Sequence, residues 1–182
     1  MKRIMTIAGI VILLLGLLPT GAVFAEQPNG HHTPFDASGY LVVTGNVQTG
    51  EGPGFKTFRQ TAEMHGTIEG TIVAVFTMTF QAGGAFVSTG ETTTTGKVNG
   101  LPGRTMCSFV FPGNFTGETT LTFAGESTVT AGKGALSHLR GTLHMNASLH
   151  TVAPYTGDTF TYSGSLYYDP HVESSQSNMM SD

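Results

Sequence analysis

Thr128 to His150 reads TVTAGKGALSHLRGTLHMNASLH, and its pattern decides the fold. Past Gly141 the residues alternate: Leu143, Met145, Ala147 and Leu149 on one side, Thr142, His144, Asn146, Ser148 and His150 on the other. A period of two marks a strand with one apolar face against a core. Ahead of it, Gly132, Gly134 and Gly141 bracket the short segment Ala135-Leu136-Ser137-His138-Leu139, so a tight glycine-bounded connection joins two runs of strand character. No helix N-terminus follows Gly132-Lys133-Gly134, which therefore is not a phosphate loop.

The same signature repeats along the chain. Strands are expected over Gly39 to Val47, Lys56 to Glu69, Thr71 to Phe80, Ala85 to Val98, Thr105 to Phe111, Glu118 to Ala131, Thr142 to Val152 and Thr159 to Tyr168. Thr, Val and Phe dominate them and Gly marks most of their ends. Asn99-Gly100 is a strong hairpin signal, because both residues tolerate positive φ. Many short strands with glycine turns and no convincing helix argue for an all-β sandwich or barrel. Within Lys56 to Glu69 the even positions Phe58, Ala62, Met64 and Ile68 are apolar, while Arg59, Glu63, His65 and Glu69 face water. Thr71 to Phe80 is apolar on both faces, with Val73 and Val75 opposite Ile72, Ala74, Phe76, Met78 and Phe80. Two covers suit it: a second subunit, or plain exposure of two valines.

Residues 1–25 read as a secretory signal peptide. Lys2 and Arg3 supply the basic start, Ile10 to Leu18 the apolar stretch, Pro19 and Gly21 the helix break, and Val23-Phe24-Ala25 a small-residue cleavage site. The rival reading is an uncleaved anchor, since the apolar run approaches the shortest membrane span. Cleavage near Ala25 exports the rest to the periplasm or the exterior, with no stable membrane association. Residues 26–36 then form a flexible leader, 37–169 one β domain and 170–182 a disordered polar tail. Loss of Lys2 and Arg3 leaves 12 acidic residues against six basic ones, without a basic cluster. Nucleic acid is thereby excluded as a partner. The lone Cys107 precludes an internal disulfide and reads as a buried core thiol within Met106 to Phe111.

The segment Gly132-Lys133-Gly134-Ala135-Leu136-Ser137-His138-Leu139-Arg140-Gly141 resembles the Gly-x-Gly-x-Leu-x-x-Leu-x-Gly element of allene oxide cyclase-like barrels. Within them it is most similar to the domain of unknown function 3224. Gly66-Thr67-Ile68-Glu69-Gly70, Gly90-Glu91 and Gly103-Arg104 before Ser108-Phe109-Val110 agree in order, so the resemblance spans residues 56–168. It implies a single eight-stranded antiparallel β-barrel, often oligomeric, with an apolar cavity. The superfamily includes cofactor-independent cyclases, and dirigent proteins have a similar barrel. This chain departs at Phe111-Pro112-Gly113-Asn114, where a polar or His-containing turn is expected, and it has no Trp.

Candidate chemistry is sparse. His144 and His150 share a strand face but lie six residues apart, about 20 Å along a strand, and cannot share an ion. No metal and no cofactor is expected. Glu91 is the candidate catalytic carboxylate. Its parity with Ala85, Val87 and Thr89 would put it inside the barrel with a raised pKa; the alternative sets it in solvent beside Thr93 and Lys97. Arg104 is its candidate partner across the hairpin. Tyr40 and Tyr162 offer hydroxyls to a ligand or pack as core aromatics. Phe76, Met78, Phe109 and Met145 complete the candidate ligand-binding set. No nucleophile elbow or triad signature is present. The leading reading is an exported barrel that binds a small apolar molecule. A cofactor-free cyclase or isomerase is the alternative, and a filled structural or surface-interaction barrel the third.

Overall fold

The structure, a computed structural model, describes residues 33–150 and 156–169. The proposed signal peptide, residues 26–32 of the leader, the tail and the end of the seventh expected strand (151–152) lie outside the described residues. The strands are β1 (Phe35–Gly52), β2 (Phe55–Gly66), β3 (Ile68–Phe80), β4 (Ala85–Val98), β5 (Leu101–Phe115), β6 (Thr120–Gly134), β7 (Leu139–His150) and β8 (Thr159–Tyr168). They form one closed barrel in sequence order, each antiparallel to its neighbours. A short 3₁₀ turn, Ala82–Gly84, bridges β3 and β4.

Closure rests on β1 against β8, in register from Phe35↔Leu166 to Val42↔Thr159. Phe35 already pairs, so strand structure begins inside the stretch read as leader. The expected strand Lys56 to Glu69 is also corrected: it ends at Gly66, and Ile68 and Glu69 open β3. Gly66 takes φ 111°, which ends β2, and the Thr67 N–H donates to the Ser38 carbonyl instead of to a ladder (3.0 Å). Asn99 and Gly100 form the expected two-residue hairpin, both at positive φ, with Val98 opposite Leu101.

The two ends of the barrel differ. The end holding the β2–β3, β4–β5 and β6–β7 connections is sealed by Val98, Leu136, Leu139 and Leu166, all at most 1% exposed. Leu136 comes from the turn that the opening segment predicts. Gly132 and Gly103 make room for it: a Cβ at Gly132 would run into the Leu136 carbonyl, and one at Gly103 would press on its side chain. Tyr162 locks the same end. Its hydroxyl accepts from the Ile68 N–H (2.9 Å) and donates to the His65 carbonyl (3.1 Å). It thus satisfies backbone groups that the β2–β3 turn takes out of the ladder. At the other end β1 shifts register between Val43 and Gly45 and again between Gln48 and Gly50. Such bulges bend a strand; the β1–β8 ladder ends at Val42↔Thr159, and Val43 still bonds Asp158 and Gly157 just ahead of β8.

Tyr162→Phe should therefore keep the barrel but lower its stability by about 1–3 kcal/mol, the cost of stranding a buried donor. Urea denaturation followed by far-UV circular dichroism measures this; an unchanged midpoint would show that the hydroxyl contributes nothing.

Candidate functional site

Side chains alternate in and out around the barrel, and the inward ones do not fill it. They leave a cavity of about 220 Å³. Phenyl rings form an arc on its wall. Phe58 stacks on Phe76 with centroids 5.3 Å apart, and Phe76 tilts against Phe109 at 6.1 Å. Phe109 stacks on Phe111 at 4.4 Å, Phe111 on Phe123 at 5.1 Å, and Phe123 meets Phe160 at 5.1 Å. Separations of this size are favourable for aromatic pairs. Leu41, Ala62, Met64, Met78, Leu143 and Met145 are among the other apolar residues of the wall.

Hydroxyls line part of this wall. Ser88, Thr92 and Thr94 on β4, Thr105 on β5 and Ser127 on β6 are all buried, and all face the cavity. Cys107 stands among them, paired with Thr92 in the ladder. Burial pushes its thiol pKa above the ordinary 9.0, while hydrogen bonds with Thr92 and Ser127 pull it down. Thr94 Oγ1 donates to Met64 Sδ at 3.7 Å, and a thioether is a weak acceptor.

The open end is polar. Asn46, Gln48, Lys56, His150 and Asp158 line the cavity there. Asp158 grips His150 through both oxygens, one 2.9 Å from ring Nδ1 and the other accepting the His150 backbone N–H at 3.1 Å. Among the described residues no three His, Cys, Asp or Glu side chains group to hold a metal.

Of the candidate residues drawn from the sequence, Phe76, Met78, Phe109 and Met145 meet in the cavity. The others do not. Glu91 is exposed on the outer face, which corrects its expected place inside. The inward parity of β4 is the even one, with Phe86, Ser88, Thr92 and Thr94 buried. Arg104 is also outward and opposes Thr95 and Lys133, while Glu91 opposes Ser108 and Val75. The two are four register positions apart, about 13 Å, so they are not partners. Tyr40 is 45% exposed and stacks on His65 outside the barrel, with centroids 4.9 Å apart. Tyr162 is buried but does not line the cavity, its hydroxyl being held by backbone, and desolvation pushes its pKa above 10.0. The sequence reading missed Phe111, Phe123 and Phe160 as lining residues, and it missed the hydroxyl wall. Parity along β5 carried the signal for Phe111. On β4 the run Thr92-Thr93-Thr94-Thr95 gives no apolar alternation to read. On the outer face Val75 (56%) and Val110 (55%) are exposed, with Met106 at 37%, while Val73 is half-buried.

No family model matches the chain, and no curated protein matches it. Among solved structures it is similar to two dirigent proteins. The pterocarpan synthase dirigent protein GePTS1 has a TM-score of 0.44 at 15% identity, over 75% of this chain and 92% of that one. The pterocarpan synthase dirigent protein PsPTS1 has a TM-score of 0.45 at 17% identity, over 76% of this chain and 97% of that one. At that identity the likeness is one of fold alone.

The Cys107 thiol sets an alkaline limit. Below 9.0 it is protonated in both folded and unfolded chains, and its contribution to stability is complete. As pH rises past 9.0 the unfolded thiol ionises first, so stability falls until the higher folded pKa is passed. Tyr162 and Tyr168, also raised by burial, repeat this from 10.0. Urea midpoints measured across alkaline pH should fall from 9.0, and Cys107→Ser should remove that first decline while leaving the second.

Proposed function

We propose that this chain is a small-molecule-binding barrel that holds a largely apolar guest in its interior. The observation that carries the reading is the 220 Å³ cavity lined by Phe76, Phe109, Phe111, Met78 and Met145, sealed at one end and polar at the other. Binding sites of small molecules are concave, mostly apolar and furnished with a few polar groups. An apolar cavity of about 150 Å³ accepts benzene, so this one suits a compact guest of roughly ten heavy atoms. A core filled by its own side chains, the third reading of the sequence, does not account for that space.

Export after cleavage near Ala25 belongs to the proposal and rests on the Lys2-Arg3 start, the apolar stretch and the Pro19-Gly21 break. So does membership of the allene oxide cyclase-like barrels near the domain of unknown function 3224, supported by the glycine elements and the closed barrel. The cyclase alternative has less to work with: Glu91 faces away from the cavity and the Tyr162 hydroxyl is held by backbone.

Native mass spectrometry of protein purified gently from its host, together with displacement of an apolar fluorophore, tests the reading. Retained ligand or saturable displacement is the expected result. Ala74→Phe, which puts a ring into the cavity, should weaken binding at least about ten-fold while costing about 1–3 kcal/mol of stability from overpacking. Glu91→Gln should leave binding unchanged. A bare protein that displaces no dye, in wild type and variant alike, would overturn the proposal.

A homo-oligomer packed through the outer face around Val75 is the remaining element, supported by the exposure of Val75 and Val110. Sedimentation velocity at micromolar concentration should show a species heavier than one chain. A strict monomer would remove this element and leave the cavity reading intact.

A further inference from the structure

We infer that the barrel's ligand is a neutral molecule carrying a hydroxyl or carbonyl on an apolar body, seated with that polar group deep against Thr92, Thr94, Thr105, Cys107 and Ser127. The inference rests on the reading of the cavity as a binding site and specifies the ligand's chemistry.

The argument begins with an asymmetry. Every polar side chain buried among the described residues — Ser88, Thr92, Thr94, Thr105 and Ser127 — sits on β4, β5 or β6. Across from them β7, β8, β1 and β2 contribute Leu143, Met145, Phe160, Leu41, Ala62 and Met64, with the Gln60 amide on β2 the polar exception below the mouth. A barrel that needed only an apolar core would gain from Val or Ala at these threonine positions, since a buried hydroxyl is tolerated only with a hydrogen-bond partner. Thr94 finds a thioether. Thr92 and Ser127 engage the Cys107 thiol, also a weak partner. A stronger acceptor or donor brought in by a ligand would improve on both.

Register gives the order along the strands. Phe58, Phe76, Gly90, Phe109 and Ser127 form one hydrogen-bonded row, oblique to the barrel axis as strand tilt requires. The next row toward the sealed end holds Gln60, Ala74, Thr92 and Cys107, and the one beyond it Ala62, Ile72, Thr94 and Thr105. The aromatic arc thus lies nearer the mouth and most of the hydroxyls lie below it. A guest entering from the mouth places its polar group first and leaves its apolar body among the rings.

Charge excludes acids and bases. Among the described residues lining the cavity, Lys56 is the only Lys or Arg, and Asp158 the only carboxylate. Lys56 pairs with Met78 and Glu51 at the mouth end of β2, four residues from Gln60 and so about 13 Å from the row of Thr92. Asp158 is held by His150 at the same mouth. A carboxylate or ammonium among the hydroxyls would be buried without a counter-charge.

Three compounds of one size separate the possibilities: tetralin, tetralone and indane carboxylate, titrated calorimetrically into the purified chain. Tetralone should bind about ten-fold tighter than tetralin, the ratio of one net hydrogen bond, and indane carboxylate should bind weakest. In Thr92→Val/Ser127→Ala the preference for tetralone over tetralin should vanish while tetralin binding persists. Equal binding of tetralin and tetralone in the wild type, or tightest binding of the carboxylate, overturns the inference and leaves the cavity reading standing. Binding by none of the three overturns both.

Discussion

Hydrogen bonding between β1 and β8, from Phe35↔Leu166 to Val42↔Thr159, is the contact on which the rest depends. An antiparallel sheet left open presents two rows of unpaired backbone groups and has no interior. Once Phe35 to Val42 lies along β8, every strand has two neighbours and the sheet has an inside. Only then does the alternation of each strand mean core against water. The same ladder fixes where the barrel opens. Val43 still bonds Asp158 and Gly157; past it β1 carries the bulges at Val43/Gly45 and Gln48/Gly50, and the polar side chains of the mouth gather at that end.

The opposite end is closed by a different device. Leu136 reaches in from the β6–β7 turn over ground that Gly132 and Gly103 keep clear. Tyr162 spans from β8 to the start of β3 and supplies the partners that the tight Gly66–Thr67 turn denies its backbone. One sealed end and one open end turn a hollow sheet into a vessel with a direction. The aromatic arc and the hydroxyl wall acquire an order from mouth to base that a barrel open at both ends would lack.

The interior was legible where a strand carried strong apolar contrast. On β7, Leu143 and Met145 against His144 and Asn146 left one choice of face, and the buried set matches it. On β3 the run from Ile72 to Phe80 placed Phe76 and Met78 in the cavity. Contrast failed on β4. Its threonines occur on both faces, so Ala85 and Val87 suggested the wrong parity and carried Glu91 inward with them. The buried faces there are Ser and Thr, which pattern reading assigns to solvent because hydroxyls are normally exposed. Tyr40, expected at a ligand or in the core, lies outside on His65 instead, because the inward parity of β1 there belongs to Leu41 and Val43.

What the chain determined by itself was the number of strands, the hairpin at Asn99-Gly100 and the glycine-framed turn that carries Leu136. Each depends on local backbone sterics and on a period of two, both readable from neighbouring residues. The register of β1 on β8, and with it the place of Tyr162, Cys107 and the hydroxyl wall, was decided only by the closed fold. Those contacts join residues as far apart as Phe35 and Leu166. Whether a threonine is exposed or faces a cavity depends on where the whole sheet closes, which no stretch of one strand encodes.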